Sequence, residues 1–412
     1  MKNVGMLHKF KIGALVLASA FPLFMPHQIS GIGMLLFLVC AFSAIAESRY
    51  VFDWKKMLLI SAPFFVFAAA MTQTSHTAEG VEVLQKKLLL LGLPLAFAIR
   101  PTLIDEKLRG KLFLVFEVAA FAIGIYANLM MRFRGLTISD PNVTDYAVIY
   151  RHALEYYSGL HPTYYAAILF FAAFLSLNNL VRDWKKRHEN KMVWVELVLS
   201  VLLTTMATAS AARAPLFAFG VILFGWALLH FKNIGKTWVA FLLASLFILT
   251  LMALPSTRNR ILEMTNPANL HAPSGNNDNG TNVRAGIYLC NWETLKQHWL
   301  IGVGTGDVQY ELNQCLSRFN THVYSNFNYN THNEYLNIWF SAGIIGLLVF
   351  ICSLFLSFKH AIKHKKFTYL FFLVFMSICF FTENYLERQA GIMLYTWFQC
   401  LFLFTPKEIH PA

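Results

Sequence analysis

Charged residues are scarce in this chain: they make up 14% of its 412 residues against 57% hydrophobic, with 38 phenylalanines. So few charges cannot cover the surface of a soluble globular protein of this size, which leaves a polytopic membrane protein. Acidic residues are scarcer than basic ones, 22 against 34, for a formal net charge of +12. Such an excess can mark a nucleic-acid binder, but here Lys and Arg fall in short loops between apolar runs, as topology determinants do, so no nucleic-acid partner is expected. The six cysteines lack Cys-x-x-Cys or Cys/His metal spacing, and Cys40, Cys352, Cys379 and Cys400 lie in apolar runs, so neither a metal nor another cofactor is expected. An internal repeat of the transporter kind is also missing.

What the chain has instead is a succession of apolar runs. A membrane helix needs roughly 20 mostly apolar residues, and twelve spans are expected at 12–26, 29–46, 57–73, 83–99, 111–131, 161–181, 192–210, 214–231, 236–254, 333–357, 367–382 and 390–404. The fourth is the weakest, with Lys86 and Lys87 at its start and Pro94 within it, and a kinked or partly interfacial segment is expected there. Lys2, Lys9 and Lys11, followed by an apolar run with Ala18-Ser19-Ala20, imitate a signal peptide, but the apolar run continues and an uncleaved first helix is expected. The fold expected is all-α: twelve transmembrane helices and one long outer loop carrying two short helices, divided as 1–254, 255–331 and 332–412.

Alternate connections carry Arg49/Lys55/Lys56, Arg100/Lys107/Arg109/Lys111, the basic cluster at 182–191, Lys232/Lys236 and Lys359–Lys366, on the side of both termini. By the positive-inside rule that side is cytoplasmic. The 132–160 loop, the 255–331 loop and the Glu383–Arg388 connection then face outward, toward the periplasm of a Gram-negative cell. Lysine dominates inside; outside, Arg132, Arg134, Arg151, Arg213, Arg258, Arg260, Arg284, Arg318 and Arg388 outnumber Lys86, Lys87 and Lys296. Both residue types serve topology equally, but the planar guanidinium suits bidentate contact with phosphate or carboxylate, so the outer bias points to an anionic ligand; snorkelling to headgroups accounts for part of it.

In the long loop, residues 266–282 read as a turn-rich, mobile stretch. From Asn282 apolar residues recur at helical spacing (Val283, Ile287, Tyr288, Trp292, Leu295, Trp299), an amphipathic helix near the outer interface with tryptophan anchors, and a second short helix is expected over 306–318. Between them, Gly302-Val303-Gly304-Thr305-Gly306 invites a nucleotide-loop reading, yet no strand precedes it and no Lys-Ser/Thr follows, so a tight turn between helices is the better account. Cys290 and Cys315 could pair in an oxidising compartment, and spacing alone leaves that open.

His332 sits between Thr331 and Asn333 at the mouth of the tenth span, beside Glu334 and Tyr335. A histidine there can be a cap, or it can take a proton from a hydroxyl during group transfer, its tautomer fixed by a neighbouring carboxylate or amide. Arg213 lies in a turn between two spans at the outer face, too short for cheap snorkelling. Arg284, on the polar side of the amphipathic helix, is by itself a solvated charge. Glu383 and Glu387 can pair with Arg213, Arg284 or Arg388. His161, followed by Pro162, Tyr164 and Tyr165, reads first as a helix N-terminus and second as an aromatic sugar site. Glu117 lies within the fifth span and Glu334 has no assigned role.

The ordered set Ser-Ala-Ala-Arg-Ala at 210–214, Arg-Ala-Gly-Ile-Tyr with Trp292 from Arg284, His-Trp-Leu-Ile-Gly-Val-Gly-Thr-Gly at 298–306 and Thr-His-Asn-Glu-Tyr-Leu with Gly-Ile-Ile-Gly at 331–346 resembles the O-antigen ligase and Wzy-type polymerase superfamily. The resemblance implies a membrane-embedded, metal-independent, inverting glycosyltransferase of the type C kind, in the bacterial inner membrane and with its site on the periplasmic side. Its donor would be a glycan on undecaprenyl pyrophosphate and its acceptor a hydroxyl of lipid A-core, with membrane lipids around it. By motif position Arg213 and Arg284 would hold the pyrophosphate and His332 would be the general base, with His161, Tyr164, Glu383 and Arg388 as supporting candidates. Where the family often has proline after its loop histidine, this chain has Trp299. Polymerisation, or transfer to protein, shares the donor grip and differs only in the acceptor. A flippase would use the same arginines to pass an anionic lipid.

Overall fold

The computed structural model describes residues 12–24, 52–99, 104–135, 146–184, 191–230, 265–275, 279–326 and 328–405. Its helices are α1 (Trp54–Ala70), α2 (Thr77–Lys87), α3 (Leu89–Ile99), α4 (Glu106–Arg134), α5 (Tyr146–Ser158), α6 (Pro162–Asp183), α7 (Met192–Ala209), α8 (Arg213–His230), α9 (Gly280–His298), α10 (Val308–Leu316), α11 (Glu334–Lys363), α12 (Phe367–Phe380) and α13 (Gln389–Phe404), with short turns at Phe21–Phe24 and Val323–Asn326. The chain is an all-α polytopic membrane protein.

The expected twelve spans need correction. Among the described residues five helices are long and apolar enough to cross a membrane: Trp54–Gln73, Glu106–Arg134, Pro162–Asp183, Met192–Ala209 and Glu334–Lys363. The expected spans at 214–231, 367–382 and 390–404 are the shorter apolar helices α8, α12 and α13. The fourth breaks at Leu88 into α2 and α3, as its lysine pair foreshadows. The first is helical over 12–19 and again at Phe21–Phe24. The spans expected at 29–46 and 236–254 lie outside the described residues.

A helix that is apolar on all sides belongs in a protein core or in the membrane, and two of these helices are enclosed by protein. Every residue of α6 from Tyr164 to Ser176 is buried, as is every residue of α13 from Ala390 to Phe404. Phenylalanines supply the packing between them: Phe398 of α13 lies 4.7 Å from Phe171 and 4.8 Å from Phe116, ring centre to ring centre. Around this pair α7 and α8 pack on α6, α3 on α13, and α11 on α1 and α12. Asp53 and Asp105 accept hydrogen bonds from the first-turn N–H groups of Lys56 and Leu108, setting the starts of α1 and α4.

At the end of the bundle that the charge pattern assigns to the outside, α9 and α10 form a small head. Val283, Ile287 and Cys290 of α9 pack on Leu312, Cys315 and Leu316 of α10 and on Tyr324. The helix expected from Asn282 is therefore present, but its apolar face is spent on protein, leaving Trp292 and Trp299 exposed. The stretch read as mobile is partly tied down: Gly275 donates to Asn320 at 2.7 Å, and Asn279, which caps α9, donates to Asn269 at 2.9 Å. Cys290 and Cys315 form a disulfide, with Cα atoms 5.6 Å apart and a sequence separation of 25. Closing such a loop removes about 3.5 kcal/mol of chain entropy from the unfolded head in the loop-closure account.

The glycine turn has a role that local spacing does not show. α11 is interrupted at Gly343, whose φ is +67°, so the carbonyls before the break lose their helical partners. The turn supplies new ones: Val303 and Gly304 donate to the carbonyls of Phe340 and Ser341 at 2.8 and 2.9 Å, and Ile344 donates back to Trp299 at 2.9 Å. Side chains would block this approach, since a Cβ on Gly302 would strike Ser341 and Gly343, and one on Gly343 would strike Leu300. On its other side the turn is latched to the end of α1. Thr305 donates to Phe67 at 2.6 Å, Asp307 accepts from the N–H groups of Ser75 and His76 at 2.6 and 3.0 Å, and the His76 ring closes on the same carboxylate.

Candidate active site

Three segments meet at this end: the 330–334 turn leading into α11, the 381–388 connection between α12 and α13, and the start of α6. Asn333 caps α11 by accepting from the Leu336 N–H at 3.1 Å. The residue before that cap, His332, is in the left-handed region with φ +47°, a conformation that costs a β-carbon-bearing residue on the order of 1–3 kcal/mol and persists only where its surroundings enforce it. They do so from both sides: the His332 N–H donates to Asn330 Oδ1 at 3.0 Å, and its carbonyl accepts from the Tyr288 hydroxyl of α9 at 3.2 Å.

This backbone directs the imidazole at a carboxylate. His332 Nδ1 lies 3.4 Å from Oε2 of Glu383, which is almost wholly buried. Burial alone would raise the Glu383 carboxyl, but the hydrogen bond to His332 and the charges of His332, His161 and Arg284 outweigh it and bring it down to about 2. Glu383 is therefore an anion throughout the physiological range, facing a ring whose other nitrogen, Nε2, is left to exchange a proton. The connection bearing Glu383 is bound to the histidine turn along its length. Asn384 donates to Thr331 Oγ1 at 3.0 Å and accepts from the Asn333 N–H at 2.8 Å, and Glu387 accepts from Asn330 at 3.1 Å.

Arg284, His161, Tyr164 and Arg388 fall around this dyad. Arg284 of α9 is close enough for its charge to act on both Glu383 and Tyr288. His161 caps α6, its Nδ1 accepting from the Thr163 N–H at 3.4 Å, which matches the helix-start reading. Burial lowers its pKa to about 4, with Glu383, Arg388, Arg151 and His332 all within electrostatic range. Tyr164 is buried and donates to the Asn384 carbonyl at 2.9 Å, its ring 4.9 Å from Tyr385, so it supports the Glu383 connection. Arg388 pairs with Glu155 at 3.8 Å and stands over the Tyr164 ring; of the pairings considered for the two glutamates, this takes Arg388 elsewhere. Arg213 is half-buried at the start of α8, just past Ala211, whose φ is +52°. Arg151 of α5 donates to the Ala211 carbonyl at 3.3 Å, which joins that turn to the group around His161.

Asn330 and Asn384 have no role in the sequence reading, and Arg151 enters it only among the outer arginines. The 132–160 stretch is read there as a loop, which misses the helix α5 within it, although Tyr150, Ala153/Leu154 and Tyr157 recur at helical spacing. The asparagines act through side chain to backbone bonds that no spacing encodes.

Residues 198–351 match the family model described as O-antigen ligase. This chain carries an O-antigen ligase family domain. The family is one of membrane glycosyltransferases of ligase and polymerase type, whose members transfer lipid-linked glycans. No curated protein matches the chain. The O-antigen ligase domain contains Arg213, Arg284 and His332, whereas Glu383 and its connection come from beyond the matched residues and complete the dyad from outside.

Acid should loosen this end of the bundle. Glu383 is held near 2 against an ordinary 4.5, so its contribution to stability is full above the ordinary value and is lost as pH falls through the folded value. His161 is held near 4 against an ordinary 6.5; its neutral form is favoured on folding, and that contribution too is lost as pH falls below 6.5. Both act in one direction, at about 1.4 kcal/mol per unit of displacement. The melting temperature of the purified protein in detergent is expected to fall steadily from pH 7 to pH 4, with a shallower fall in His161→Gln. An identical slope in the variant would remove His161 from the account.

Proposed function

We propose that the protein is an O-antigen ligase, moving a glycan from undecaprenyl pyrophosphate to a hydroxyl of lipid A-core at the periplasmic face of the inner membrane, with both termini in the cytoplasm. The observation that carries the mechanism is the 3.4 Å approach of His332 Nδ1 to the buried Glu383 carboxylate. With Nδ1–H turned to that carboxylate, Nε2 takes the proton of the acceptor hydroxyl as its oxygen attacks the anomeric carbon. The bond from that carbon to the pyrophosphate oxygen breaks, its electron pair leaves with undecaprenyl pyrophosphate, and configuration at the carbon inverts. Charge grows on the pyrophosphate as the bond breaks, so Arg213 and Arg284, placed in advance, bind the transition state more strongly than the ground state. Leaving-group activation then requires no metal in principle.

In this reading residues 1–254 and 332–412 are the membrane parts, and 255–331 is the outer part that bears Arg284. The compact two-helix head favours transfer to lipid A-core over polymerisation or transfer to protein. The test is to incubate purified protein with undecaprenyl-pyrophosphate glycan and lipid A-core, with and without EDTA. A new glycan–core bond formed equally with the chelator is the expected result. Loss of transfer with EDTA would overturn the metal-free mechanism, and lipid movement across a bilayer without a new glycosidic bond would overturn the enzyme.

A further inference from the structure

Glu334 lies two residues past His332, and Lys87 closes α2; neither has a part in the transfer step above. Both side chains are withdrawn from solvent, Glu334 at 0% and Lys87 at 1% exposure. Opposite charges taken out of water rarely stabilise a fold by themselves, because desolvation offsets their attraction. These two converge on a single residue. The Leu386 N–H donates to Glu334 Oε2 at 2.7 Å, and the Leu386 carbonyl accepts from Lys87 Nζ at 2.5 Å. The ammonium also stands 4.1 Å from the centre of the Phe67 ring, and its charge is felt by Glu334 and Glu387. Glu334 occupies the first turn of α11, where the helix dipole favours an anion.

Leu386 is three residues beyond Glu383 in the same short connection. Both of its main-chain polar groups are thus held by charged side chains from two other elements. Asn384 and Glu387 bind the neighbouring positions to the His332 turn. A displacement of Leu386 would carry Glu383 with it.

We propose that Lys87 and Glu334 form a buried clamp on Leu386 that positions Glu383 against His332. The proposal rests on His332 being the base of the transfer reaction. Neither residue touches substrate; both are positioning residues acting through Glu383.

The test measures transfer from undecaprenyl-pyrophosphate glycan to lipid A-core by purified full-length variants, in the native and in the Glu383→Gln background. Glu334→Gln keeps the side-chain shape and an acceptor for the Leu386 N–H but removes the charge. Lys87→Met keeps the length and removes the donor. The double variant leaves no unpaired buried charge, so it keeps the folded protein accessible to assay. Each of the three is expected to lower kcat about 10- to 100-fold, the loss that misplacement by about 1 Å produces, with donor KM within about twofold of native. In the Glu383→Gln background the same substitutions should cost less than about twofold, because the group they position is already neutral; independent structural damage would instead add in full. Native kcat in the double variant, or equal losses in both backgrounds, would overturn the clamp. If His332→Ala and Glu383→Gln transfer normally, the base assignment fails and the clamp with it. If those two are impaired while the Lys87 and Glu334 variants are not, the clamp alone fails.

Discussion

Replacing His332 by alanine is expected to lower the rate of glycan transfer about 10²–10⁴-fold, the range that a positioned general base supplies, while donor binding stays close to native. The reason lies in where the backbone of this residue is anchored. Its left-handed conformation is fixed by Asn330 and Tyr288 through main-chain atoms, so shortening the side chain leaves the turn and the neighbouring Asn333 cap in place. The two bonds that hold φ +47° do not involve the imidazole, and the Glu383 connection keeps its bonds from Asn384 and Glu387. The loss should therefore appear in kcat, with a folded protein of native elution volume. His332→Gln retains a hydrogen-bonding side chain but cannot accept the proton, and should be as slow as alanine. Transfer at the native rate by either variant would end the general-base assignment.

The second large effect is expected at Arg284. Its removal as Arg284→Ala should cost about 10²–10³-fold in transfer, by analogy with deleting one preplaced donor from a site that binds developing negative charge. Unlike the histidine variant, it should also weaken donor binding, because the pyrophosphate is anionic before the bond breaks as well as after. Arg284→Lys restores the charge without the planar two-point fork, so binding should recover more than rate. Separate titration of donor binding and of kcat distinguishes these results. A variant with native donor affinity and native kcat would remove Arg284 from the site.

Much of this arrangement was legible in the residues because it is local. Asn282 through Trp299 announced α9, the 306–318 pattern announced α10, and Pro162 after His161 announced the start of α6. The Arg213, Arg284 and His332 motifs marked three members of one family domain. What could not be read is what depends on distant segments meeting. Lys87 looked like an interfacial charge weakening a span, and Glu334 like a bystander, because their common partner is the main chain of a leucine far along the sequence. The glycines at 302–306 showed a turn, but the helix break they fill at Gly343 became visible only in three dimensions. The span count suffered from a related problem: apolarity shows that a segment avoids water, yet α12 and α13 are apolar because protein surrounds them, whatever their length.

The break at Gly343 also divides α11 into two segments of unequal length. Beyond it α11 runs from 344 to 363, about 20 residues and therefore about 30 Å, the thickness of a bilayer's hydrocarbon core. The segment before it, from Glu334 to Ala342, is held by the glycine turn and adds at most about 14 Å of helix. His332, two residues ahead of Glu334, thus stands beyond the break on a short helical stalk whose direction the glycine turn sets independently of the longer helix below it.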